Sequence, residues 1–363
     1  MVFTKLSLPR MLKNTTSRLI VIIVTIFYVT FFLFWQSNNL DAVDPIPTIL
    51  QLDPKAINRT SQVEVGLHIN NFQQFSIQNN EFTLDGIVWF KFPIGSEALK
   101  TVSDFSFNNS FLLYSGQTVY KYPPIIKLIG NNVLVSYHII ITFKSNLNYH
   151  HFPLGGHIIN LELQNKNATP YEFYFVSKKE NLTLNDDIFV TDFKPISLQV
   201  KTGYKSAELS NQQHGMEISY PTTVFSITFI NLGIRDLISL YFPMLVLFFI
   251  ALFCLLLDVT DASRLSYAAT AVPILVLFRM VIDAVSPKIG YSTHIDYIYY
   301  LLVFLSMLIL LLQTYVILVL HRAKMHSEKI SDGTKQHLER TNDIAFFIIL
   351  LLLIVLVTYS YFR

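Results

Sequence analysis

Residues 216–257 read MEISYPTTVFSITFINLGIRDLISLYFPMLVLFFIALFCLLL, and two different solvents are written into them. Through Ile230 large apolar side chains alternate with smaller polar ones, Phe225, Ile227 and Phe229 falling on one side and Ser226 and Thr228 on the other. That period of two marks a strand with one face in a core. From Leu237 to Leu257 the alternation is gone and the run is apolar, about the 20 residues that cross a bilayer as a helix. Hardly any linker separates the two. A β-domain therefore passes straight into a membrane helix, and motion in the first is handed to the second.

Working outward, three more apolar runs are long enough to span a bilayer: Leu19–Trp35, Ile298–Leu320 and Ile344–Phe362. Another, Leu265–Val285, is interrupted by Ser266, Thr270, Pro273, Arg279 and Asp283. The whole chain of 363 residues is 52% hydrophobic and 14% charged, against about a quarter charged in ordinary soluble domains. The single cysteine, Cys254, sits within an apolar run, which excludes an intrachain disulfide. A net charge of +2 with no basic, aromatic-interleaved patch points away from nucleic acid. Lys5, Arg10, Lys13 and Arg18 precede the first run, and Arg322, Lys324, Lys329, Lys335 and Arg340 fill the loop expected at His321–Arg340. Both place the basic flanks in the cytoplasm and the polar region after Trp35 outside it.

Period-two strands are expected at Val63–Asn70, Phe82–Phe92, Leu134–Phe143, His157–Leu163, Phe189–Val200 and Met216–Ile230. Asn-rich turns at Gln78–Asn80, Gly130–Asn132, Asn165–Asn167 and Asn185–Asp187 separate them, the pattern of an antiparallel sandwich. The expected plan is a β + α membrane protein. It has an N-terminal signal anchor or signal peptide (1–37, with Leu40–Ala42 as the best cleavage site), a linker (38–61), an extracytoplasmic antiparallel β-sandwich (62–232) and a transmembrane domain (233–363). The last is a four-helix bundle, with helices at about 236–257, 262–285, 295–320 and 342–362. Asn-x-Ser/Thr triplets at Asn58, Asn108, Asn167 and Asn181 are expected by chance in so Asn-rich a chain.

Taken as a helix, Ala262–Val285 puts Ser266, Thr270, Pro273, Leu277, Val281 (or Met280) and Ala284 on one line. The line begins with hydroxyls and turns apolar midway, while Arg279 and Asp283 lie off it, four apart and able to pair. Hydroxyls below an apolar ring suit a gated pore; small residues at a packed helix contact would give the same pattern.

The order of elements, a sandwich, then a helix, a pore-like helix after a short link, a third helix, a basic loop and a final helix, resembles the pentameric ligand-gated ion channel (Cys-loop receptor) superfamily. The similarity is to its bacterial branch, which lacks the disulfide, and it extends from about Val63 to Phe362. Five stretches carry it: Asn185–Phe193; Phe152-Pro153 before the alternating His157–Leu163; Phe242-Pro243-Met244-Leu245; Ser263-Arg264-Leu265-Ser266; and Ser286-Pro287-Lys288 with Tyr291. The chain departs from the family's pattern where Gly155 stands for an acidic residue. It departs again where Pro273 occupies the mid-helix ring, which moves the expected gate to Leu277 or Val281.

The resemblance implies a homopentamer in the plasma (inner) membrane, with a small-molecule agonist or protons opening a path for inorganic ions. Ser266, Thr270, Pro273, Leu277, Val281 and Ala284 would line the pore, and Asp261, Ala262 and Arg264 would set charge selectivity. Ala262-Ser263-Arg264 fits neither the usual cation nor the usual anion pattern, and Asp258 and Asp261 nearby favour cations. Phe152, Pro153, Pro287, Lys288 and Tyr291 would couple sandwich to pore, and Phe107, Tyr171, Phe173, Tyr174 and Tyr204 would hold a cationic agonist. His150, His151 and His157 are the groups a proton-gated member would use. A non-conducting, membrane-anchored sensor or binding protein of the same fold is the alternative. No nucleophile–base set, phosphate loop or metal-spaced ligand group stands in the sequence, so no catalytic residue, cofactor or metal is expected.

Overall fold

The computed structural model describes residues 15–39, 44–53, 60–96, 98–110, 119–188, 190, 192–209, 217–232, 234–326 and 331–360. Lys5, Arg10, Lys13, Leu40–Ala42, Asn58, Phe189, Thr191, Met216, Lys329 and Phe362 lie outside the described residues. The chain divides into two compact units, one of Met1–Leu40, Tyr149–Leu154 and Gly233–Arg363, the other of Asp41–Asn148 and Gly155–Leu232.

The second unit holds two sheets. The larger is built on β1 (Ser61–Ser76), β2 (Glu81–Pro93) and β6 (Asn132–Phe143), with β4 (Tyr120–Lys121) and β5 (Ile125–Ile129) along β6. Its other edge is β8 (Phe173–Val176) and β9 (Leu182–Leu184), both paired with β1. The smaller runs β10 (Phe193–Glu208), β11 (Glu217–Asn231), β7 (His157–Asn165) and β3 (Phe105–Phe107). The expected strands recur and most extend further, although β10 starts at Phe193 and not at Phe189, and the sandwich is not wholly antiparallel: β8 and β9 run parallel to β1. These strands are too short for a readable period, so only tertiary pairing reveals them.

Aromatic rings tie the sheets together. Phe72 and Phe75 of β1 meet Phe229 of β11 at 5.8 and 5.2 Å, and Phe105 of β3 meets Phe90 of β2 and Tyr137 of β6, each at 5.2 Å. Pro221 interrupts the β11 ladder just where pairing with β7 ends at Thr222, so its missing N–H costs nothing on that side. The stretch read as a linker is in part a strap on the smaller sheet. Buried Asp44 accepts from the backbone N–H of Ile158 (2.6 Å) and of Asn148 and pairs with His157 (3.2 Å). Farther along the strap, Leu50 exchanges backbone bonds with Tyr204. Gly155, at φ +100°, holds a backbone that a residue with a side chain would adopt only under strain.

Among the described residues, the first unit contains five helices long and apolar enough to cross a membrane. They are α1 (Thr15–Asn39), α3 (Ile234–Phe253) with its one-turn extension Cys254–Leu256, the pair α4 (Ser263–Leu277) and α5 (Arg279–Val285), α6 (His294–His326) and α7 (Asp332–Tyr359). The short α2 (Ala98–Val102) belongs to the other unit. The basic stretch expected as a loop is mostly helical: α6 continues to His326 and α7 opens at Asp332, where the Ser331 hydroxyl accepts from Thr334 N–H at 3.2 Å. Apolarity marks only the part of a helix inside lipid, so the polar turns beyond it escaped the reading.

Candidate functional site

The broken apolar run forms α4 and α5, joined at Phe278, where the N–H of Val281 bonds back three residues to the Phe278 carbonyl. Pro273 sits inside α4 and removes one helix hydrogen bond. Arg264, Ala268, Ala271, Val272, Leu275 and Ile282 are buried. On the other side Ser266, Thr270, Pro273, Leu277, Val281 and Ala284 are all exposed on the chain, with Leu277 at 63% and Met280 at 72%. The line drawn from helical spacing is thus a surface of the unit, hydroxyls first and large apolar side chains after.

The charges around this helix are sorted by burial. Asp261 and Ala262 are exposed, and Asp261 caps the turn by accepting from Ser263 N–H and Oγ at 2.9 and 2.8 Å. Those bonds hold its carboxyl below the usual range, and equivalent bonds from Thr260 hold Asp258 down to about 2. Arg264 behaves differently. It is 1% exposed, and it donates to the Cys254 carbonyl at 2.9 Å and to Asn342 Oδ1. Asn342 in turn donates to the Leu255 carbonyl at 2.6 Å. The guanidinium closes the frayed end of α3 against α7 instead of facing the exposed line. At the other end, Arg279 pairs with Asp283 at 2.9 Å, as the four-residue spacing implied, and also with Asp296 of α6, which no local spacing announces.

The loop Tyr149–Leu154 packs within the helical unit. The His150 carbonyl accepts from His294 N–H at 2.8 Å and the Phe152 carbonyl from Ile295 N–H at 3.3 Å. Tyr291 accepts from Tyr149 N–H at 3.0 Å through its hydroxyl and stacks on the His150 ring, centroids 4.3 Å apart. The peptide bond Phe152-Pro153 is cis. Of the five residues read as coupling groups, Phe152 and Tyr291 thus reach the same end of α6. Pro287 is buried, and Lys288 is exposed.

The sequence reading missed the center of this region, His294. Its side chain is buried, with Tyr241 Oη 2.7 Å from Nδ1 and Ser360 Oγ and Gln36 Nε2 at 3.0 and 3.4 Å from Nε2. One imidazole joins α1, α3, α6 and the end of α7. A cavity of about 420 Å³ opens beside it, lined by His150, His151, His294, Tyr297, Tyr359 and Ser360 among others. A lone His at a helix start carries no periodic signal, which is why it was overlooked.

The aromatic agonist candidates separate in the other unit. Phe107, Phe173 and Tyr174 are core residues, 2–5% exposed, whereas Tyr171 is 67% exposed and Tyr204 half-buried under the strap. His151 has its pKa lowered by burial and by neighbouring His150, and His157 is engaged by Asp44 in the sandwich unit. Among the described residues, no three His, Cys, Asp or Glu side chains are placed to hold a metal. Comparison of the chain with protein-family models and with curated proteins finds no match.

Proposed function

We propose that the chain is one subunit of a homopentameric ligand-gated ion channel of the plasma membrane, with the sandwich outside and cations as the conducted species. The observation that carries this reading is the exposed line on α4 and α5. A helix facing only lipid has no use for a polar start to such a line. Five copies around an axis would give water a hydroxyl-lined entrance followed by an apolar ring at Leu277 and Val281, which closes by dewetting. The loop Tyr149–Leu154, bound to the start of α6, supports the second half of the reading. The segment that joins β6 to β7 lies within the helical unit, and it would serve as a lever through which a bound ligand biases two states, to the extent that it binds them unequally.

Purified protein in liposomes tests the reading. Leu277→Ser should leak ions without agonist, because the apolar ring is breached, and Pro273→Leu should change how the pore closes. Particle images should show fivefold symmetry. Silent liposomes for every variant, with particles lacking that symmetry, would leave the non-conducting sensor, the reading that Pro273 and the joint at Phe278 favour.

A further inference from the structure

We propose that Thr15–Asn39 is a permanent fifth membrane helix of the mature subunit, packed along the last helix, and not a leader removed at export. The inference does not depend on whether the protein conducts. A signal segment needs only to be apolar, whereas α1 has a built inner face. Arg18, Ile22, Thr25, Val29, Leu33 and Gln36 are all buried. Their spacing of four, three, four, four and three is the seam by which parallel helices interlock. The opposite face is apolar and exposed, with Ile23 at 64% and Phe27 at 72%, as a lipid-facing surface would be.

Polar pairs fix the register from one end of the helix to the other. Arg18 pairs with Asp343 at 2.7 Å, with both side chains nearly enclosed. Tyr28 Oη lies 3.1 Å from Thr358 Oγ1, and Gln36 reaches His294. Position rises along both chains, so α1 and α7 run in the same direction. That is what four later crossings demand if α1 and α7 both start on one side. Arg18 and Asp343 stand just ahead of the apolar runs that begin at Leu19 and Ile344, so their ion pair sets the two helix starts level. The last helix is therefore written for a partner that the same chain supplies.

The test uses the full chain tagged at both ends and purified from membranes. Its intact mass should be that of the uncleaved chain. In a Cys254→Ser background, a bifunctional thiol reagent with a spacer of about 8 Å should join Tyr28→Cys to Thr358→Cys, whose reach the Tyr28 side chain now fills, and should not join Phe27→Cys to Thr358→Cys. Arg18→Gln should lower the melting temperature in detergent, and adding Asp343→Asn should restore most of the loss. A mass starting beyond residue 39 overturns the proposal. Equal cross-linking at both cysteine pairs, or an Arg18→Gln protein as stable as the parent, overturns it as well.

Discussion

Arg264 shows how much a single side chain can mislead when only its neighbours in sequence are known. Ser263-Arg264-Leu265-Ser266 reads as the start of a pore helix; a helix, α4, does begin there, yet the guanidinium points into the bundle. Arg264→Gln should cost roughly 1–3 kcal/mol of stability by stranding buried acceptors, measured as thermal unfolding in detergent. The same variant should leave the reversal potential of any current unchanged, whereas exposed Asp261→Asn should shift it. Lys121 makes a second residue-scale prediction. Burial between the Ser103 and Phe105 carbonyls holds its pKa down to about 8 from an ordinary 10.5, against the pull of Asp104. Below about 8 the ammonium is charged folded and unfolded, so its desolvation cost is fully present. Between about 8 and 10.5 the unfolded chain binds the extra proton, and stability rises with pH. A rise of roughly a few degrees in Tm over that window is expected, and Lys121→Met should flatten it. Neither environment was legible in advance, because the carbonyls that define each come from segments distant in sequence.

At the scale of elements, legibility followed periodicity. β1, β2, β6, β7, β10 and β11 and the five helices long and apolar enough to cross a membrane were visible, since each repeats its pattern often enough to be counted. The face of α4 and α5 was legible for the same reason: a helix buried on one side leaves the other side as a predictable line. The short strands β3, β4, β5, β8 and β9 were not, and neither was the strap, held to the sheet by the Asp44 carboxylate, the Pro45 carbonyl and the backbone bridge at Leu50. The exposed line supplies the sharpest test. Ser266→Cys and Thr270→Cys should react with water-borne thiol reagents at least about tenfold faster than buried Ala268→Cys and Ala271→Cys, by analogy with the burial control of thiol reactivity. Equal rates at all four would remove the basis for an aqueous pore.

At the scale of the whole molecule, the prediction concerns transmission. Tyr291→Phe deletes the acceptor of Tyr149 N–H while keeping the ring that stacks on His150. One lost hydrogen bond is worth about 1 kcal/mol, so an agonist or proton response should shift several-fold along its concentration axis with assembly unchanged. An unaltered response would mean that the loop is only a foothold. The candidate agonist site was the least legible part, because in a chain with 30 Phe and 19 Tyr most rings serve the core, as Phe107, Phe173 and Tyr174 do. The strap carries a consequence of its own. Because Asp44 grips β7 and Leu50 bridges to β10, the strap ties together two strands that β11 separates, like a staple across a seam. Asp44→Ala would free one leg of that staple, and amide exchange should then quicken along β7 more than along β10.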